Sequence, residues 1–224
     1  MQLLNGDCME LLKTIPDSSV DLVVTDPPYE IATTGGGLAV NGQVKQWKEH
    51  DLDSMKDGFS PVVLDELCRV MKKVNCYFFC SQRQIMPLVQ YFTKKKCNWN
   101  LLCWHKNNPV PACGNKYLSD TEFILFFREK GVKIFGSYDT KRTYYVTATN
   151  QKEKKLYDHP TVKPVEILEN LILNSTAGVG CTVLDPFMGT GSTGVAAKKL
   201  GRDFIGIELD SKHFNTATRR IEAL

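Results

Sequence analysis

The segment from Cys181 to Glu208 constrains the fold more than any other part of the chain. An apolar run, Cys181-Thr182-Val183-Leu184, reads as a buried strand. It leads through Asp185-Pro186-Phe187-Met188 into Gly189-Thr190-Gly191-Ser192-Thr193-Gly194, then into a helical run, Val195-Ala196-Ala197-Lys198-Lys199-Leu200. A second apolar run, Phe204-Ile205-Gly206-Ile207, ends in Glu208. Strand, glycine turn, helix and strand in this order make a βαβ-like unit, and such units build parallel sheets covered by helices on both faces. The glycines let the backbone approach a ligand closely, and the acidic strand end is placed to hydrogen-bond ribose hydroxyls. On this segment alone a dinucleotide and a nucleoside cofactor are hard to separate. A tight strand-to-helix turn without a ligand is the plain alternative.

A second strand end lies near the other terminus, where Leu22-Val23-Val24 runs towards Asp26-Pro27-Pro28-Tyr29. Strand carboxyl ends are where ligands sit in open parallel sheets. If the substrate is a flat, amino-bearing base, this tetrad suits it. The lone pair of an exocyclic amine is delocalised into the ring, which makes it a poor nucleophile. A carboxylate such as Asp26 accepts one N–H and returns electron density to the nitrogen. A proline carbonyl can accept the other, and consecutive prolines hold the backbone extended. Tyr29 offers a ring on which an unstacked base can lie. The alternative is a Pro-Pro turn with Asp26 capping a neighbour.

The chain's 224 residues suit one domain, 1–224, with a full core. Its eight cysteines show no metal-ligand spacing. Cys76 and Cys80 fall on one face of a strand-like run, so buried thiols are expected and no metal. Without a signal peptide or a membrane-length apolar run, a reduced, cytoplasmic protein is expected. Charge is uneven. Residues 93–158 carry 13 Lys and Arg against 6 Asp and Glu, a local +7 in a chain of +3. Such a block can neutralise phosphates, although a solvated lysine-rich face has the same composition.

Between the two strand ends, a strand is expected at Gln2-Leu3-Leu4 and a helix from Cys8 to Thr14. Residues 30–57, Gly-rich and then charged, read as a mobile loop that folds over the base or the DNA. A helix is expected over about 61–73, a strand at Cys76–Cys80 and a second helix over about 82–95. Trp99–Trp104 and Glu122–Phe127 read as an antiparallel pair at the sheet's edge. His105, in the turn-rich stretch after Trp104, is left without a role because the chemistry above needs no histidine base. Asp7 suits a helix N-cap, and Lys163-Pro164 suits a helix start with Pro at the first position.

Together these residues resemble a known family. Asp26-Pro27-Pro28-Tyr29 first and Asp185-Pro186-Phe187-Met188-Gly189-Thr190-Gly191 last is the order of the circularly permuted β group of S-adenosylmethionine-dependent DNA amino-methyltransferases. His159-Pro160-Thr161-Val162-Lys163-Pro164 is similar to a third motif of that group. Gly6-Asp7 and Phe204-Ile205-Gly206-Ile207-Glu208 match its remaining cofactor segments, so the resemblance spans nearly the whole chain. It implies a Rossmann-like, doubly wound mixed sheet. It also implies catalytic roles for Asp26, Pro27, Pro28 and Tyr29. The cofactor would be lined by Asp185, Phe187, Gly189, Gly191 and Ser192, with Glu208 on its ribose. Asp7 and Cys8 would lie beside its adenine, and Thr161 and Lys163 near its methionine end.

The reaction so implied is methyl transfer from S-adenosylmethionine to an exocyclic amine of a base flipped out of double-stranded DNA, adenine N6 before cytosine N4. A nicotinamide oxidoreductase rests on the glycine pattern alone and leaves Asp26-Pro27-Pro28-Tyr29 unexplained. A non-catalytic DNA-binding relative is the third reading. The family's sequence-reading insertion would fall in residues 128–158, which are too few for an independent domain. Either a few side chains from this segment and the 30–57 loop read a short site, or a partner in a homodimer helps. A short recognition sequence is therefore expected, with dimerisation as the alternative means of reading it.

Overall fold

The computed structural model describes residues 1–27, 61–111, 114–149, 151–157 and 162–224. Pro28, Tyr29, the 30–57 loop and His159-Pro160-Thr161 lie outside these residues.

The described strands are β1 (Gln2–Asn5), β2 (Leu22–Thr25), β3 (Asn75–Cys80), β4 (Asn98–Lys106), β5 (Thr121–Arg128), β6 (Tyr144–Thr147), β7 (Thr182–Asp185) and β8 (Asp203–Glu208). They form one sheet in the order β1-β8-β7-β2-β3-β5-β4-β6. Only β5 runs against the rest: it is antiparallel to both β3 and β4, while every other described pairing is parallel. The helices are α1 (Cys8–Leu12), α2 (Pro61–Val70), α3 (Gln82–Lys94), α4 (Gln151–Leu156), α5 (Val165–Ser175), α6 (Ser192–Lys199) and α7 (Ser211–Glu222).

Strand alternation divides the core into two layers. Val23, Cys76, Phe78, Cys80, Leu125 and Phe127 point to the face covered by α1, α2 and α3. Their neighbours Leu22, Val24, Tyr77, Phe79, Ile124 and Phe126 point to the face covered by α5, α6 and α7. Period-two alternation puts successive side chains on opposite faces, so strands packed on both sides read as continuous apolar runs. Aromatic rings tie each layer across strands and helices, with Phe92 stacked on Phe127 at 4.2 Å and Tyr77 on Phe126 at 4.3 Å. Burying each such ring contributes roughly 1.5–3 kcal/mol. Cys76 and Cys80 do share one face, buried as thiols.

The expected antiparallel pair is present as β4 and β5, but it is not the edge of the sheet. Tyr144-Tyr145-Val146-Thr147 forms β6, which pairs in parallel outside β4. These are β-branched and aromatic residues suited to a strand, lying within the segment read as an insertion. Part of 128–158 is thus spent on extending the sheet. Its exit is fastened by Trp104 Nε1 donating to Thr147 Oγ1 at 2.9 Å and Thr149 N donating to Asn108 Oδ1 at 2.6 Å. Helix α1 is shorter than expected, ending at Leu12. Pro164 takes the N-cap of α5 instead of its first helical position.

Candidate active site

The chain leaves β7 through α6 to β8 on one side, and leaves β2 towards β3 on the other. The adjacent strands β7 and β2 are therefore the switch point, where departing loops diverge and leave a crevice at the carboxyl ends. Asp185 closes β7 and Asp26 follows β2 directly. The two segments singled out in the sequence, far apart in the chain, meet here.

The glycine turn is built as its spacing requires. Gly189 has φ +53° and Gly191, the N-cap of α6, has φ +79°. Gly194 sits against α7 and β8: a Cβ there would collide with Ile221 Cδ1 and come within 2.7 Å of Phe204 Cε1. The third glycine thus sets helix-to-strand packing, while the first two shape the turn and Gly191 also lets α7 approach at Ala217. Phe187 is half-buried against the core.

Asp185 is 3% exposed, and its oxygens face inward. Oδ1 accepts from Thr25 Oγ1 at 2.9 Å and Phe187 N at 3.1 Å, and Oδ2 from Thr193 Oγ1 at 2.7 Å. Burial raises this carboxyl to about 7, against the lowering effect of those three donors, and the charge of Asp26 adds to the rise. The residue fastens β2, the glycine turn and α6 to one another. Glu208 has a similar placement: Oε2 accepts from Gly189 N at 2.9 Å and Oε1 from Asp210 N at 2.8 Å. Burial raises its carboxyl as well, the two backbone donors opposing.

Asp7 is the N-cap of α1, its Oδ1 accepting from Met9 N at 2.7 Å. Cys8 is buried in the core, where desolvation pushes its thiol up to about 12. Ser192 is 7% exposed, and its Oγ accepts from Arg220 Nη1 at 2.9 Å. Arg220, on α7, also donates to Thr190 O at 3.4 Å and to Glu153 Oε2 at 2.8 Å, with its guanidinium 4.4 Å over the Tyr157 ring. It joins the glycine turn to α4 and the segment before His159. No sequence signal marked it.

Lys163 stands beside Asp26. Its ammonium, 6% exposed, donates to Asp26 Oδ2 at 2.5 Å, lies 3.3 Å from Glu122 Oε2 and sits 5.1 Å over the Phe79 ring. Burial works against its charge, but Asp26 and Glu122 outweigh burial and leave its pKa raised. Glu122 Oε1 in turn meets Lys106 Nζ at 2.8 Å. The result is a chain of alternating charge, Lys106, Glu122, Lys163 and Asp26. Glu122 and Lys106 belong to no motif. They reach the site because β5 runs backwards and brings its first residues to the edge where β4 ends. His105 lies at the same edge, half-exposed, 3.8 Å from Asp120. Among the described residues, no group of three or more His, Cys, Asp and Glu could hold a metal ion. No described helix is long and apolar enough to cross a membrane.

A carboxylate on a proline-stiffened strand end, next to a glycine turn with an acidic strand end behind it, suits group transfer from a bound nucleoside to a polar acceptor. Residues 20–219 match the family model for the N6/N4 type of DNA methylase. The chain belongs to this DNA methylase family. The methylase is 31% identical to the type II methyltransferase M.HinfI of Haemophilus influenzae, a match covering 99% of this chain and 68% of the relative. It is also 31% identical to the type II methyltransferase M2.DpnII of Streptococcus pneumoniae, covering all of this chain and 90% of the relative. Its fold superimposes on the crystal structure of the M1.HpyAVI–SAM complex with a TM-score of 0.71 and 28% identity, covering 98% of both chains. The methylase assignment leaves no place for the nicotinamide oxidoreductase, whose only support was the glycine pattern.

Proposed function

We propose that this DNA methylase moves the methyl group of S-adenosylmethionine to the exocyclic N6 of an adenine flipped out of double-stranded DNA. One observation carries the reading: Asp26 and the glycine turn stand at adjacent strand ends, β2 and β7, at the switch point of the sheet. The donor matches the S-adenosylmethionine bound by M1.HpyAVI, a relative of nearly equal span. The target amine is paired inside a duplex, so the base must first leave the stack.

In this reading Asp26 and the Pro27 carbonyl receive the two N–H groups of the amine, with Pro28 shaping the backbone and Tyr29 stacking on the base. Asp26 then polarises the nucleophile. Cofactor and base held at adjacent strand ends allow amine, methyl carbon and sulfonium to line up. The turn at Phe187, Gly189, Gly191 and Ser192 lines the cofactor. Glu208 holds that turn and meets the ribose, and Asp185 acts by fixing the turn from within. Asp7 serves as helix cap and adenine neighbour together, since a carboxylate oxygen has more than one lone pair. Cys8 would meet the adenine through its backbone, because its thiol is in the core. Thr161 and Lys163 would lie near the methionine end of the cofactor. The Lys-rich α4 and its surroundings supply charge for phosphates.

The adenine reading rests on the family resemblance, in which Asp leads the Pro-Pro-Tyr tetrad, with cytosine N4 as the alternative. Tritiated methyl transfer from S-adenosylmethionine to unmethylated bacterial DNA, followed by nucleoside analysis, tests it. Label in N6-methyladenosine is expected, and label in N4-methylcytosine would correct the base. No label despite cofactor binding would point to a silent DNA-binding relative. With residues 128–158 too few for an independent domain and four of them in β6, a short recognition site and a homodimer are part of the proposal. A monomer in sedimentation at working concentration would remove the dimer.

A further inference from the structure

Asp26 is asked to do two things. It holds the buried Lys163 ammonium in the structure, and the proposed reaction gives the same carboxylate an amine N–H to receive. A buried ammonium that loses its only carboxylate is strongly disfavoured, because desolvation is no longer offset by an opposite charge. Here a second carboxylate is already in place. Glu122 divides its oxygens, Oε1 on Lys106 at 2.8 Å and Oε2 towards Lys163 at 3.3 Å. Oε2 is buried and, among the described residues, accepts no aligned hydrogen bond. It already faces the Lys163 ammonium at 3.3 Å, placed to share it with Asp26.

We infer that Glu122 is a positioning residue for methyl transfer, a second anchor that shares the Lys163 ammonium with Asp26 and so leaves Asp26 acceptor capacity for the target amine. Lys106 keeps Glu122 in place by holding its other oxygen. Glu122 touches neither base nor cofactor in this scheme and acts only through Lys163. Its position on the reversed strand β5 is what makes the arrangement possible. The inference rests on the reading of Asp26 as the receiver of the amine.

The test measures the initial rate of tritium transfer from S-adenosylmethionine to unmethylated bacterial DNA at saturating cofactor, beside S-adenosylhomocysteine affinity and thermal melting. Glu122→Gln keeps the shape and removes the charge. Its rate is expected to fall by about tenfold or more while S-adenosylhomocysteine affinity changes by less than about threefold. Glu122→Asp, which keeps the charge on a shorter stem, is expected to recover part of the rate. An unchanged rate in Glu122→Gln would overturn the inference. So would a fall in rate matched by an equal fall in cofactor affinity, which would make Glu122 part of cofactor binding. If Glu122→Gln fails to fold, Glu122→Asp decides alone: reduced rate with unchanged affinity and melting supports the role, and full rate overturns it. Asp26→Asn is measured alongside. Turnover retained in that variant would remove the premise, whatever Glu122 does.

Discussion

Lys163 and Asp26, 137 residues apart in the chain, share a hydrogen-bonded ion pair of 2.5 Å with the lysine 6% exposed. The pair closes the gap between the tetrad after β2 and the segment entering α5. Glu122 makes it a triad, with one buried cation between two carboxylates.

Removing that cation leaves two partly buried carboxylates facing one another. Lys163→Met should therefore lower folding stability by about 3 kcal/mol, the range seen when one partner of a buried pair is deleted. It should also abolish methyl transfer. Urea denaturation gives the first quantity, and a midpoint equal to that of the parent would refute the account of the triad.

Asp185 predicts a pH dependence. Its folded carboxyl is raised to about 7 by burial, so the folded chain holds a proton that the unfolded chain has already released. This contribution to stability is complete below the unfolded value, about pH 4, and fades as pH climbs towards 7. Asp185→Asn keeps the shape without the charge. Its urea midpoint relative to the parent should rise between about pH 4 and pH 7, by an amount worth up to about 4 kcal/mol. A gap that stays constant with pH would mean that the carboxyl is ionised throughout.

Gly194 is a packing position rather than a flexible one. Gly194→Ala forces Ile221 and Phe204 apart and should cost about 1–3 kcal/mol, as overpacked cores do. The shift should be visible in thermal melting even without cofactor, because the clash is present in the empty protein.

Arg220 links the glycine turn to α4 through hydrogen bonds to Ser192 and Glu153. Arg220→Gln should weaken S-adenosylhomocysteine binding by about three- to tenfold, the range for losing one or two charged hydrogen bonds that shape a site. Isothermal titration would show it. Undiminished affinity would mean that the turn keeps its shape without the arginine.

The elements that build the crevice were legible in the chain because their signals are local. A strand followed by glycines at fixed offsets, or by Asp-Pro-Pro, restricts φ and ψ within a few residues of itself, and a period of two residues or of about 3.6 marks its neighbours. Asp26, Gly189, Gly191, Gly194 and Glu208 could therefore be placed at strand ends and turns before any contact was known. The helix-cap reading of Asp7 and the shared face of Cys76 and Cys80 follow from the same short-range geometry. The antiparallel pairing of β4 and β5 was also expected, but only the tertiary structure decided that β5 is the reversed member, that β6 lies outside β4, and that Asp185 points into the protein. It alone brought Glu122, Lys106 and Arg220 to the site. Each of these depends on the order and direction of strands distant in sequence, which are set by burial of whole faces against one another and leave no periodic mark on the residues that end up in contact.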